Sequence, residues 1–312
     1  MTGFTTAMIL TAGLGTRLRP LTDVRAKPAI PVAGEPMVRR ITRWLARGGV
    51  TDIVLNLHHL PETIAAVMGD GSDLAVRVRY SWEQPVLLGA AGGPRHALEI
   101  VGAESFLLIN GDTLTDLDLT ALTDTHRARG ARVTLALVPN REPQRYGGVR
   151  LDPSGRVTGF SVRGDAAGSY HFIGAQAVEA DVFRSLAANQ PSSSIGGVYD
   201  RLFASEPGAV QGFVCDAAFW DVGTASDYWS TSWAFIDAAA DNTRWCGQRV
   251  HIDHTARLTR SILWDDVEVS RDVVLEECLV TDGVRLPAGA VYRRAILMQR
   301  QDGRLQESPL FV

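Results

Sequence analysis

Three cations and two glycines near the amino terminus have the makings of a phosphate site. Gly13 and Gly15 lie in a loop after the apolar run 8–10, Arg17 and Arg19 follow at once, and Lys27 comes ten residues after Arg17, between Ala26 and Pro28. Glycines let backbone N–H groups approach an anion closely, and neighbouring cations take up its charge. Two better-known phosphate motifs do not fit. A Walker A loop needs Gly-Lys-Ser/Thr, whereas Gly15 is followed by Thr16 and Arg17; the dinucleotide fingerprint needs a third glycine where Leu18 stands.

The elements that must hold this loop alternate along the chain. Residues 8–10 read as a strand, 35–47 as a helix ended by Gly48-Gly49, 51–57 as a buried strand, 61–68 as a short helix and 74–82 as an alternating strand. Residues 94–100 look helical, and 105–109 form an apolar strand running into Asn110-Gly111-Asp112. A hairpin turn there would be out of place after a central parallel-type strand, so Asp112 is expected at a strand's carboxyl end. Helix 118–129, capped by Gly130, and strand 131–138 continue the pattern. Such alternation builds an α/β fold around a parallel sheet. Two strands joined by Pro153-Ser154-Gly155 then break the rhythm, followed by the Ser192-Ser193-Ser194 loop, a helix over 195–204, strand 210–217 and a long helix over 225–240. His58-His59 after a strand has no third ligand at a recognisable spacing and reads as structural.

The string from Leu10 to Thr22, LTAGLGTRLRPLT, followed by Lys27-Pro28, resembles the signature of the sugar-1-phosphate nucleotidyltransferases. Thr11 stands where that family usually has Ala. The resemblance implies a Rossmann-like nucleotidyltransferase, a mixed, mostly parallel sheet with helices on both faces. Leu10, Ala12, Gly13, Gly15, Thr16 and Arg17 would then bind the nucleotide, with Asn110 and Gly111. Leu88 to Gly92 is similar to the family's second nucleotide loop, with Ala90 in place of Thr, which adds Gly89 and Ala90. Glu83 just before it points towards GTP, because a carboxylate can accept the paired donors of guanine N1–H and N2–H₂. Lys27, Gly147, Gly148, Arg163 and Gly174 are expected at the sugar phosphate. The family's Glu-Lys-Pro after the hairpin is replaced here by Val162-Arg163-Gly164, so the sugar is expected to be unusual or a cyclitol. Asp112 and Asp221, the latter in a Trp-Asp-Val-Gly-Thr run, correspond to the family's metal carboxylates, and one or two carboxylates plus phosphate oxygens suit Mg²⁺.

The tail repeats at 17 residues. Ser261-Ile262-Leu263, Cys278-Leu279-Val280 and Ala295-Ile296-Leu297 lie one period apart, as do Val250, Val267 and Val284. Apolar rows stepping by six, six and five residues make a prism-shaped β-solenoid of just under three coils. By resemblance it is a short left-handed β-helix, giving a catalytic domain over 1–245 and a solenoid over 246–312. The solenoid is expected to pack on the catalytic domain or to mediate a homodimer.

Composition bounds the partners. The 312 residues are 46% hydrophobic and 21% charged with a net charge of −4, a globular balance that gives no reason to expect nucleic acid. Cys215, Cys246 and Cys278 show neither CxxC spacing nor an even number, so reduced, buried thiols are expected. No basic start with an apolar core and no membrane-length apolar run occurs, which points to the cytoplasm and away from membranes. The reading is Mg²⁺-dependent transfer of a nucleotidyl group from an NTP, GTP favoured, to a sugar or cyclitol 1-phosphate, with Arg17 and Lys27 as catalytic cations. A uridylyltransferase, such as one acting on N-acetylmuramate 1-phosphate, is the alternative. A catalytically silent nucleotide-sugar-binding regulator is the reading from another class.

Overall fold

The computed structural model describes residues 4–237, 244–300 and 302–311. By backbone contacts the chain forms two compact units. One runs to Leu14 and then over Val38–Trp220; the other joins Gly15–Met37 to the described residues from Asp221 onward.

The first unit is built on a nine-stranded sheet. Its main path runs Val157–Ser161, Gly148–Leu151, Tyr170–Glu179, Ser105–Asn110, Thr6–Leu10, Asp52–Leu57 and Arg77–Trp82. Val133–Pro139 pairs with Tyr170–Glu179 and carries Val210–Val214 on its other edge. Thr6–Leu10 lies parallel to both Asp52–Leu57 and Ser105–Asn110, and Asp52–Leu57 lies parallel to Arg77–Trp82. Strands Ser105–Asn110 and Thr6–Leu10 read as near-continuous apolar runs because helices cover both faces of a parallel sheet; Met8, Val54, Phe106 and Leu108 are fully buried in the core. Tyr170–Glu179 runs antiparallel to Ser105–Asn110, so the sheet is mixed, as the family resemblance implies.

Helix Leu119–Arg129 shows how local chemistry sets an element's ends. Asp118 Oδ1 accepts hydrogen bonds from Thr120 N (2.9 Å) and Ala121 N (3.1 Å), and Gly130 closes the helix in a left-handed conformation. Such a cap is worth about 1 kcal/mol. Several sequence boundaries move. Residues 74–76 precede the strand, which begins at Arg77, because Ser72–Leu74 forms a 3-10 turn. Ile195 and Gly196 have non-helical backbone angles inside a wide turn over Ser194–Val198, so the expected helix over 195–204 becomes Tyr199–Ser205. The strand expected over 210–217 ends at Val214. Helix Ala225–Asp237 is present, and residues 238–240 of the expected helix lie outside the described residues.

In the second unit the 17-residue period is met strand by strand. Ile262 pairs with Leu279 and Leu279 with Ile296; His251 pairs with Glu268 and Glu268 with Arg285; Arg257 pairs with Val274 and Val274 with Val291. These parallel stacks are the sides of a β-helix whose interior holds Leu263, Val267, Val280, Val284, Leu286 and Leu297. Outside, opposite charges meet across one coil, Arg249 with Asp266 at 2.5 Å and Arg293 with Glu276 at 2.7 Å. Exposed pairs of this kind are screened by solvent and contribute little, so the apolar stack sets the register. Leu305–Pro309 folds back antiparallel on Ala295–Gln299.

All three cysteines are reduced, but only Cys278 is buried; Cys215 and Cys246 are half-buried, since a strand end and a first coil cover them less well than the solenoid interior. Among the described residues no helix is long and apolar enough to cross a membrane.

Candidate active site

In the first unit Leu10, Asn110 and Gly111, all expected to bind the nucleotide, meet at the carboxyl ends of two parallel strands. Leu10 pairs with Asn110, and Gly111 N donates to Leu10 O at 3.0 Å, so the ends of two central strands are stitched together. The loop that follows is held from the side. Asn56 Oδ1 accepts from Thr11 N at 2.7 Å, Thr11 Oγ1 donates to Asn56 O, and Asn56 Nδ2 donates to Glu83 Oε1 at 2.6 Å. Glu83 Oε2 in turn accepts from Leu88 N at 2.7 Å.

This chain of bonds corrects the reading of Glu83. Its side chain has no solvent exposure and both oxygens are engaged inside the protein, so it ties the first loop to the second instead of facing a guanine edge. A buried carboxylate needs such partners to offset its desolvation. His58 Nδ1 lies 2.8 Å from Glu83 O, the structural role expected of it.

The second loop is itself helical. Gly89–Val101 is one helix, so Gly89 and Ala90 form its first turn, ahead of the expected start at position 94. Ala91 N and Gly92 N donate to Ser192 O, at 2.9 and 3.3 Å, and Ser192 N donates to Leu88 O at 2.9 Å. Ser192, read from sequence as part of a loop, therefore docks through backbone atoms on the segment expected to form the second nucleotide loop. No sequence pattern signals a contact of that kind.

Asp112 is half-buried just past the central strand. Beside it, Thr113 Oγ1 donates to Ile173 O at 3.0 Å, which draws strand Tyr170–Glu179 onto the loop. Gly174 fits there only without a side chain: its φ is +81°, and a Cβ would fall on Thr113 Oγ1 and within 2.9 Å of Asn110 Nδ2. Of the other sugar-side residues, Gly147 is exposed, Gly148 is buried against Ser169, and Arg163 is exposed on the turn after Val157–Ser161. The rings of Tyr146, His171 and Phe219 cluster in space, with centroids 4.2 Å apart for Tyr146–His171 and 5.1 Å for His171–Phe219. Their spacing along the chain gives no hint of that.

In the second unit Arg17, exposed in the short turn Thr16–Leu18, comes close to Asp221. A methyl group built on Gly223 would lie 3.2 Å from Asp221 Oδ2, 3.2 Å from Asp227 Oδ2 and 3.5 Å from Arg17 Nη1, so these charged groups converge on one spot. Asp227 Oδ2 also accepts from Thr224 N at 2.9 Å, and Thr231 Oγ1 donates to Asp221 O at 3.4 Å. Gly15 has φ +61°, and a Cβ there would press on Thr22 Cγ2 at 2.7 Å and Lys27 Cβ at 3.3 Å. The glycine thus lets Lys27, half-buried in the turn Lys27–Ala29, pack against the loop.

Comparison with known proteins places this arrangement. The family described as nucleotidyl transferase matches residues 6–237. The chain belongs to the nucleotidyl transferase family. A mannose-1-phosphate guanylyltransferase of Mycobacterium tuberculosis is 31% identical over 306 residues, covering 92% of this chain and 83% of that one. An N-acetylmuramate alpha-1-phosphate uridylyltransferase of Neisseria meningitidis is 45% identical over 119 residues, which is 38% of this chain and 52% of that one. HddC from Yersinia pseudotuberculosis has the same fold, with a TM-score of 0.64 at 24% identity over 74% of this chain and all of that one.

As a nucleotidyl transferase the chain must bring two anions together, and its donor set suits that task. Among the described residues no group of three or more His, Cys, Asp or Glu side chains could hold a metal unaided. Carboxylate oxygens such as those of Asp112 and Asp221 are nevertheless the hard donors Mg²⁺ takes, and that ion commonly completes its shell with substrate phosphate and water.

Proposed function

We propose that the protein transfers a guanylyl group from GTP to a sugar or cyclitol 1-phosphate, releasing pyrophosphate. The attacking phosphate oxygen is already ionised at neutral pH, so no protein nucleophile is needed; the work is to align two anions and offset their repulsion. Arg17 would stabilise the β- and γ-phosphates and the departing pyrophosphate, and Lys27 the α-phosphate and the incoming sugar phosphate. Asp112 and Asp221 would hold Mg²⁺, which neutralises charge on the triphosphate. Gly89 and Ala90 would give the base a flat surface, and Gly147, Gly148, Arg163 and Gly174 would meet the sugar phosphate.

The observation that carries this reading is the convergence of Arg17 with Asp221 and Asp227 around Gly223, in a chain whose family transfers nucleotides. With Glu83 engaged inside the protein, the preference for GTP rests on the guanylyltransferase relative that spans 92% of the chain. The uridylyltransferase relative, more similar over a shorter stretch, supports UTP with N-acetylmuramate 1-phosphate as the second reading.

A pyrophosphate-release assay over four NTPs and a panel of sugar and cyclitol 1-phosphates tests both. Turnover with GTP supports the first reading and turnover confined to UTP the second. Tight binding of a nucleotide sugar with no turnover for any pair would instead indicate a silent regulator.

A further inference from the structure

The solenoid does more within its own unit than extend the chain. Arg25 reaches into it and makes three charge-assisted hydrogen bonds: Nε to Asp282 Oδ2 at 2.6 Å, Nη2 to Asp282 Oδ1 at 2.7 Å and Nη2 to Asp265 Oδ2 at 2.7 Å. Both acceptors are themselves fixed, since Asp282 Oδ1 also accepts from Asp265 N at 3.0 Å and Asp265 Oδ1 accepts from Gln248 N at 2.7 Å. The guanidinium lies 5.3 Å from the centre of the Trp264 ring. Trp264 Nε1 donates to Tyr228 Oη at 3.0 Å, and Tyr228 Oη donates to Pro31 O at 2.7 Å, with both aromatic side chains fully buried.

These contacts grip the signature segment at two points, Arg25 and Pro31. Lys27 lies between them, on a single turn closed by Ala29 N to Ala26 O at 2.8 Å and Ile30 N to Lys27 O at 3.2 Å. A turn that short has little freedom once both ends are fixed, and a long ammonium side chain has much to lose if they are not.

We propose that Arg25, held by Asp265 and Asp282, and Tyr228, bonded to Pro31 and Trp264, are positioning residues through which the β-helix sets Lys27 for phosphate binding. This rests on the nucleotidyl-transfer reading of Lys27. The solenoid then belongs to the substrate-binding apparatus, and its 17-residue spacing has a local purpose, because Asp265 and Asp282 are one period apart on adjacent coils. Neither aspartate matches the signature, and nothing across the sequence separation of 257 announces the pairing of Arg25 with Asp282.

The test uses the full chain and the variants Arg25→Gln, Arg25→Lys and Tyr228→Phe, each alone and combined with Lys27→Ala. Calorimetric titration with GTP and with UTP in the presence of Mg²⁺ is run well below each variant's melting temperature. Arg25→Gln and Tyr228→Phe should each weaken binding of the preferred nucleotide about tenfold, while Arg25→Lys, which keeps one ion pair, should recover part of the loss. In the Lys27→Ala background the same changes should cost nothing further in affinity while still lowering Tm. Folded Arg25→Gln and Tyr228→Phe proteins that bind as the wild type does would overturn the proposal, and so would a loss that persists in full without Lys27. Wild-type protein that binds neither nucleotide overturns the functional reading and this inference with it.

Discussion

Replacing Glu83 by Gln separates two jobs a carboxylate could have beside a nucleotide loop. Glu83 accepts two hydrogen bonds, from Asn56 Nδ2 and Leu88 N, whereas a Gln side chain offers one oxygen and one NH₂ group. One donor must then face another donor. Asn56 cannot relieve the clash by turning its amide, because its Oδ1 already accepts from Thr11 N. A lost buried hydrogen bond costs about 1 kcal/mol and the stranded donor about 2 kcal/mol more, for a total near 3 kcal/mol. In a chain of this size that corresponds to a fall in Tm of roughly 5 °C. Because Thr11 and Leu88 belong to the two loops expected to enclose the nucleotide, binding should weaken by a similar factor for GTP and UTP. Calorimetry and scanning fluorimetry on Glu83→Gln measure both quantities. A loss confined to GTP, with Tm unchanged, would refute the reasoning and restore Glu83 as a reader of the base.

Other perturbations give equally definite expectations. Asp112→Asn should fold normally and lose Mg²⁺-dependent turnover by roughly a hundredfold or more, and near-normal rates in a steady-state assay would remove Asp112 from the metal site. Gly15→Ala places a methyl group in a left-handed position against Thr22 and Lys27; about a tenfold fall in kcat/KM is expected, and an unchanged value would show that the loop absorbs it. His126 supplies a pH dependence. Burial holds its imidazole below the usual value of about 6.5, with the hydrogen bond its Nε2 gives to Glu179 opposing that shift. The unfolded chain therefore takes up a proton at a pH where the folded protein does not. Its contribution to stability is complete above about pH 6.5 and declines as pH falls towards the folded value. Urea midpoints between pH 7.5 and 5.5 should fall less steeply for His126→Gln, and identical slopes would count against the assignment.

What the sequence made legible depended on whether the information was local or periodic. The 17-residue solenoid could be read because each apolar row must face the interior in every coil, which writes the period into the sequence. Asp118 and Gly130 could be read as helix ends because capping is settled within a few residues. The inward orientation of Glu83 is not legible in the sequence, since one of its partners lies elsewhere in the chain, at Asn56, and nothing nearby distinguishes an inward Glu from an outward one. Ser192 was missed because its contact is made by backbone atoms that every residue possesses. The start of the helix at Gly89 was hidden by glycines and alanines, which carry no amphipathic signal. Gly15–Met37 groups with the solenoid through contacts distant in sequence, and pairs such as Arg25 with Asp282 leave no local signal to detect.

Attack of a sugar 1-phosphate on the α-phosphorus of an NTP can be followed through the phosphate oxygens. Sugar or cyclitol 1-phosphate labelled with ¹⁸O in its phosphate is incubated with protein, Mg²⁺ and each NTP, and the products are weighed by mass spectrometry. Nucleotidyl transfer to the sugar phosphate gives an NDP-sugar that retains every labelled oxygen and a pyrophosphate that carries none. Label appearing in pyrophosphate, or no NDP-sugar from any pair while nucleotide still binds, would contradict it.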